Sequence, residues 1–212
     1  MKKEKKAIGF TLAFSALAIF FAATLPAAAQ QAGATPPPRP NVAPPIKITI
    51  SAFPDGGPIP QQYTCAATTP PPTGPMHISL GVSPRIQWTN VPMGTASFVL
   101  ILHDADAHIG KAFIDIPHWV VFNIPGDATE LPEGVPPDAP LANGTNQGDN
   151  MMRRAAYQGP CAPPGLPHHY TFALYALDTK LDLPQGASRA DIEKAMDGHV
   201  LGGGVYVGLF GR

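Results

Sequence analysis

The chain has 212 residues, a formal net charge of -1 and a pI near 6.6. A field that weak excludes the broad basic surface by which proteins hold nucleic acid. Charged residues make up 14% of the chain against a usual ~25%, and 27 prolines stand where about 5% of residues is the norm, so the composition describes a well-packed core carrying stiff, proline-fixed loops.

At the start, Lys2, Lys3, Lys5 and Lys6 precede an apolar run from Ala7 to Leu25, and Pro26-Ala27-Ala28-Ala29 follows. This pattern predicts a Sec-type signal peptide over residues 1–29, cut near Ala29-Gln30. The alternative is an uncleaved anchor, because the run approaches the ~20 residues that span a bilayer. No Cys follows the run to carry a lipid. Residues 30–45 change to Ala, Gln and Pro, with Pro36, Pro37, Pro38, Pro40, Pro44 and Pro45 imposing extended backbone, and read as a linker. A single domain is expected over 46–212, periplasmic or secreted, with no stable transmembrane segment after signal cleavage. Cys65 and Cys161 are the two cysteines, and an oxidising compartment allows them to pair. Their Cα separation, which decides whether they do, is not a property of the sequence.

Ile46 to Phe53 alternates apolar and polar residues and predicts a half-buried strand, ended by a turn at Pro54-Asp-Gly-Gly-Pro58. Gln61 to Pro84 is loop-rich, and its Pro70-Pro71-Pro72 tract is barred from a central strand. Ser97 to His103 and His118 to Ile124 are apolar runs of strand length, expected to be neighbours across the segment between them. Pro125 to Met152 reads as turn and loop, and its Asn143-Gly144-Thr145 matches the glycan acceptor pattern. A second proline-fixed loop, Tyr157 to Gly165, leads into a strand over His169 to Leu177. Ser188-Arg-Ala-Asp191 has the form of a capping box opening a short helix to about Asp197, with Gly198 as its stop. Gly204 to Phe210 closes the chain as a strand. The sum is a mainly β protein with one or two short helices.

The ionisable groups gather at the ends of these strands. Alternate residues of a strand share a face: Asp104 has the parity of Leu100 and Leu102, His118 that of Val120 and Phe122, and His168 that of Tyr170, Phe172 and Leu174. Antiparallel pairing would bring all three polar groups to one sheet edge, walled by the two stiff loops. Two imidazoles, one carboxylate, the Tyr170 phenol and backbone amides near Gly159 and Cys161 suit a small anion: His118 and His168, readily protonated near their ordinary pKa, are expected to donate to it, Tyr170 to add a hydroxyl and Asp104 to orient them. The same set admits a hydrolase, and His103, Asp104, Asp106, His108, His118, His168 and His169 are conceivable metal ligands. On parity His103 points away from Asp104, which divides that ligand set. No G-x-S-x-G elbow is present, and no Ser or Cys is tied by spacing to a His and an acid.

Tyr63-Thr-Cys65, Ser83-Pro-Arg-Ile-Gln-Trp88, His103-Asp-Ala-Asp106, His118-Trp-Val-Val-Phe-Asn123, Gly159-Pro-Cys161 with Pro163 and Pro164, His168-His-Tyr170 and the stretch from Leu201 to Arg212 occur here in one order. In that order they resemble the phosphatidylethanolamine-binding protein family, in its bacterial Raf-kinase-inhibitor-like branch. The resemblance implies a large antiparallel sheet packed beside a smaller one. It also implies an anion pocket lined by Asp104, His118, His168 and Tyr170, with Trp119, Gly159 and Pro163 in its wall. The implied partner is a phosphate or phospholipid head group, with a protein partner left open, no cofactor and no established catalysis. The chain departs from the family at Asp104-Ala-Asp-Ala-His108, where D-P-D-x-P is usual, and at His169, where Arg is common. The spans from Cys65 to Ser83 and from Gly144 to Tyr157 are also longer than usual.

Overall fold

The apolar run beginning at Ser97 becomes β4 (Ser97–His108), the strand on which the larger sheet is built. Phe98, Leu100 and Leu102 face one cluster of buried residues while Val99 and Ile101 face another. Burial on both faces is why the run is continuous rather than alternating. The structure is a computed structural model describing residues 44–68, 80–108, 110–111 and 115–212. Apart from Pro44 and Pro45, the expected signal peptide and linker lie outside the described residues, as does the Pro70-Pro71-Pro72 tract. Asn41–Arg212 form one compact unit.

Six strands make the larger sheet in the order β2 (Gly57–Pro58), β9 (Val200–Phe210), β8 (His168–Leu177), β4, β5 (Asp115–Pro125) and β7 (Asn146–Gly148). Every pairing in it is antiparallel except β2 with β9 at the edge. β1 (Lys47–Thr49), β3 (Ile86–Thr89) and β6 (Glu130–Leu131) form the smaller antiparallel sheet. Ile48, Ile86 and Trp88 from the small sheet pack against Phe98, Leu100, Trp119, Val121 and Phe172 from the large one. The opposite face of the large sheet is covered by α1 (Arg189–Met196), whose Ile192 and Met196 cap Val99, Val120 and Phe122. Ser188 caps the helix as predicted, its hydroxyl accepting from the Asp191 amide, and Gly198 takes a left-handed φ of 79° just past the helix.

One expected strand changes in detail. The predicted strand over 46–53 is only three residues long, because the chain turns at Ser51–Phe53 ahead of Pro54. The alternation persists in burial, with Ile46, Ile48 and Ile50 all inward. β2, β3, β6 and β7 have two to four residues each, too short to print a period in the sequence.

β5 carries an irregularity opposite Val99, since Phe98 pairs with Ile124 but Leu100 with Val121. Asn123 occupies it with a φ of 56°, donating to the Leu181 carbonyl at 2.9 Å and accepting from the Leu181 amide at 2.8 Å. Asn is among the few side chains that reach the left-handed region at low cost. Replacement by Ala removes both bonds and leaves a buried amide and carbonyl unpaired, so Asn123→Ala is expected to lower unfolding free energy by about 2–3 kcal/mol. Urea denaturation of the two proteins measures it.

Candidate functional site

β4 leaves the apolar core at Asp104, a carboxylate only 3% exposed. One oxygen accepts from the Asp106 amide at 3.0 Å and the other from His168 Nδ1 at 2.8 Å. A carboxylate only accepts, so His168 carries a hydrogen on Nδ1. A second pair lies next to the first: Asp106 accepts from the His169 amide at 2.5 Å and from His169 Nδ1 at 2.9 Å. The His169 amide bond holds the Asp106 carboxyl below its ordinary value. The end of β4 and the start of β8 are thus pinned together twice.

His118 arrives by a different route from the one strand alternation predicts. Its parity partners Val120 and Phe122 lie on the α1 side of the sheet, away from Asp104. Leu102 pairs with Trp119 and His103 with Pro117, which leaves His118 as an extra, unpaired residue in β5. Such a bulge re-aims a side chain. Here the His118 ring meets Tyr170 edge to face, with centroids 5.2 Å apart. Tyr170 is the register partner of Asp104 on β8, so carboxylate, phenol and both imidazoles share one end of the sheet.

His118 is 3% exposed, and its Nδ1 donates to the Gln158 carbonyl at 3.0 Å. Burial holds its pKa below the ordinary 6.5, against the opposing pull of the Gln158 carbonyl and Asp104. This changes the role expected of it, since a neutral imidazole with a hydrogen on Nδ1 presents Nε2 as an acceptor. Burial, then the Asp104 carboxylate, push the Tyr170 phenol well up, so it stays neutral; its oxygen accepts from the Cys161 amide at 3.1 Å.

The wall behind His118 is held covalently. Cys65 and Cys161, left open by the sequence, form a disulfide with Cα atoms 5.3 Å apart. The Cys65 amide also donates to the Pro160 carbonyl, and the Tyr157 hydroxyl to the Tyr63 carbonyl at 2.6 Å. Gly159 is required by this approach, because a Cβ there would lie 2.7 Å from the Tyr63 carbonyl oxygen. Its amide, expected near the site, instead donates to the Leu80 carbonyl.

The other expected residues divide. Trp119 is fully buried, donates its indole hydrogen to Gln147 at 2.8 Å and packs edge to face on Tyr157, so it stands behind the site as core. Pro163 is exposed, and His168 keeps part of its side chain in solvent. His103 points to the α1 side, as its parity predicts, and lies against Asp115, which also pairs with Arg189 of the helix. Burial holds His103 below its ordinary value. His108 is exposed at the end of β4. Among the described residues no three His, Cys, Asp or Glu side chains converge as metal donors. Gln158, which supplies the carbonyl that fixes His118, and the bulge itself had no signal in the sequence.

Among the described residues, surface grooves also lie elsewhere. One of about 640 Å³ runs beside the C-terminal end of α1, and one of about 470 Å³ beside its start. A third, about 590 Å³, is lined by residues from Pro58 to Ala66 and from Pro167 and Leu209 to Arg212.

Two packed sheets with a buried carboxylate–imidazole pair at one sheet end define a mainly β protein of the ligand-binding kind. Residues 49–211 match the phosphatidylethanolamine-binding protein family. A UPF0098 protein of Methanothermobacter thermautotrophicus is 44% identical over 79% of this chain and 99% of its own length, and one of Aquifex aeolicus is 41% identical over 79% and 89%. Among solved structures, the phosphatidylethanolamine-binding protein homologue CT736 of Chlamydia trachomatis is 30% identical with a TM-score of 0.63, covering 79% of this chain and 98% of that one. YbcL of Escherichia coli, described as a new member of the mammalian family, is 26% identical with a TM-score of 0.68, covering 80% and 99%. The chain belongs to the phosphatidylethanolamine-binding protein family, and is a binding protein of that type. Among the described residues no helix is long and apolar enough to cross a membrane.

Proposed function

We propose that the chain is a periplasmic or secreted binding protein that captures a protonated phosphate-like head group at the Asp104, His118, His168 and Tyr170 site. The address rests on the basic start, apolar run and small-residue cleavage pattern of residues 1–29. The observation that carries the site is the commitment of both Nδ1 atoms, His118 to the Gln158 carbonyl and His168 to Asp104. Each ring then has Nε2 left for a ligand. His118, kept neutral by burial, accepts there, so the best ligand brings a hydrogen of its own. A phosphomonoester monoanion does so; sulfate does not. Cys161, beside the site, is held in the disulfide and supplies no nucleophile.

The pH dependence follows with a definite sign. A phosphomonoester dianion takes up one proton, becoming the monoanion, near a pKa of ~6. Its monoanion therefore accumulates as pH falls from 7.5 to 5.5, while His118, with a lowered pKa, stays neutral longer than a free imidazole. Calorimetry with phosphate, O-phosphorylethanolamine and sulfate across that range should show the phosphate-to-sulfate affinity ratio rising as pH falls. Taking the ratio cancels any titration the two ligands share. A constant ratio would remove the acceptor role of His118, and no saturable binding of any of the three would remove the proposal.

A further inference from the structure

The loop behind His118 touches the site at two points. The Gln158 carbonyl accepts from His118 Nδ1 at 3.0 Å, and the Cys161 amide donates to the Tyr170 hydroxyl oxygen at 3.1 Å. Residues 157–163 belong to no helix or strand, so no ladder of backbone bonds fixes them. Their anchors are the Gly159 amide on the Leu80 carbonyl at 2.7 Å, the Pro160 carbonyl on the Cys65 amide at 3.0 Å, and the Cys65–Cys161 bond. Cys161 is therefore both the covalent tie of the loop and the donor to Tyr170. Tyr170 in turn stands edge to face with His118 and opposite Asp104 across the two strands. Cys161 is partly exposed while Cys65 is 9% exposed, so Cys161 is the half of the disulfide that a thiolate in solution meets.

We propose that the Cys65–Cys161 bond is a redox control on the anion site: the oxidised chain holds the anion, and reduction by a dithiol weakens that hold. This rests on the head-group reading above and adds its regulation. In the exchange one dithiol sulfur, as thiolate, attacks the Cys161 sulfur, and Cys65 leaves as a thiolate that takes up a proton. The second dithiol sulfur then attacks the first, Cys161 leaves and is protonated, and the dithiol closes to a cyclic disulfide. Two electrons and two protons pass to the protein. Without the crosslink the Cys161 amide is placed only by the backbone bonds of Gly159 and Pro160, and its bond to Tyr170 loosens. Coupling of this kind is reciprocal: the factor by which reduction weakens anion binding is the factor by which bound anion resists reduction. A factor of about ten, near the lower end of the roughly 5–150-fold typical of coupled sites, corresponds to a midpoint potential about 30 mV more negative for this two-electron couple.

The test is calorimetry of the oxidised and the dithiol-reduced full chain with inorganic phosphate, with near-ultraviolet circular dichroism recording the fold of each. The expected result is binding roughly tenfold weaker after reduction and restored by reoxidation. In dithiol–disulfide buffers, with free thiols counted by alkylation and mass spectrometry, saturating phosphate should lower the midpoint by about 30 mV relative to chloride at equal ionic strength. The double variant Cys65→Ser with Cys161→Ser should bind as the reduced chain does and ignore the dithiol. Tyr170→Phe lacks the oxygen that accepts from Cys161, so it should bind more weakly when oxidised and lose much less on reduction. Equal affinities in two folded states of the unmodified chain, with an unshifted midpoint, overturn the inference and leave the head-group site standing. A reduced chain that unfolds under these conditions also overturns it, because the loss then belongs to the fold. A full loss that persists in Tyr170→Phe overturns the route through Cys161. If the oxidised chain binds no phosphate, the head-group reading fails and the control has nothing to act on.

Discussion

His118→Asn is expected to reduce affinity for phosphate by roughly ten- to a hundredfold while leaving the fold close to its original stability. The asymmetry comes from the two ends of the imidazole. An Asn side chain carries its amide nitrogen at about the reach of Nδ1, so it can still donate to the Gln158 carbonyl that His118 holds at 3.0 Å. It has nothing at the position of Nε2. The lost contact is a hydrogen bond to a charged ligand, worth ~1.5–3 kcal/mol. His118→Ala would remove both ends and leave the Gln158 carbonyl unpaired in a site only 3% exposed, so loss of binding and loss of stability would be confounded. Calorimetry and thermal melting of the Asn variant separate them. Affinity equal to that of the unmodified protein would show that no ligand meets His118.

Conversion of both cysteines to serine should have the largest effect on stability. The Cys65–Cys161 disulfide spans 96 residues of sequence. A crosslink closing a loop of that length removes up to ~4.7 kcal/mol of chain entropy from the unfolded state, with about 2–4 kcal/mol typical of measured cases. For a domain of this size each kcal/mol moves Tm by about 2–4 °C. A fall of roughly 10 °C is therefore expected by differential scanning calorimetry, and the same fall should appear when the unmodified protein is scanned with a dithiol reductant. A drop below about 2 °C would mean that the Pro160 and Tyr63 backbone contacts hold the two loops by themselves.

The sequence was most readable where chemistry repeats along the chain. The continuous run of β4 marked a strand buried on both faces, and Ser188 with Asp191 and Gly198 marked both ends of α1. Asp104, His168 and Tyr170 came to one sheet end by simple alternation. His118 did not: alternation assigns it the face of Val120 and Phe122, and a single unpaired residue in β5 reverses that assignment. A bulge is decided by the partner strand, so it leaves no periodic trace. The protonation of His118 was illegible for a related reason. Expecting a ready proton on that ring needs only its ordinary pKa, whereas its burial depends on Gln158 and the loop that follows, forty residues away. Trp119, expected in the wall, was drawn into the core because its indole hydrogen found Gln147 on β7, a strand too short to predict.

The disulfide also divides the chain into a closed ring and an open tail. Asp104 and His118 belong to the ring between Cys65 and Cys161, while His168 and Tyr170 come from the tail beyond it. A protease cutting the exposed stretch at 136–140 would leave every residue in one covalent piece until the disulfide is reduced. A cut in the equally exposed stretch at 163–167 would leave β8 and β9 held by sheet hydrogen bonds and packing alone. One half of the site is therefore protected against a single nick, and the other is one peptide bond away from dissociating with its strand.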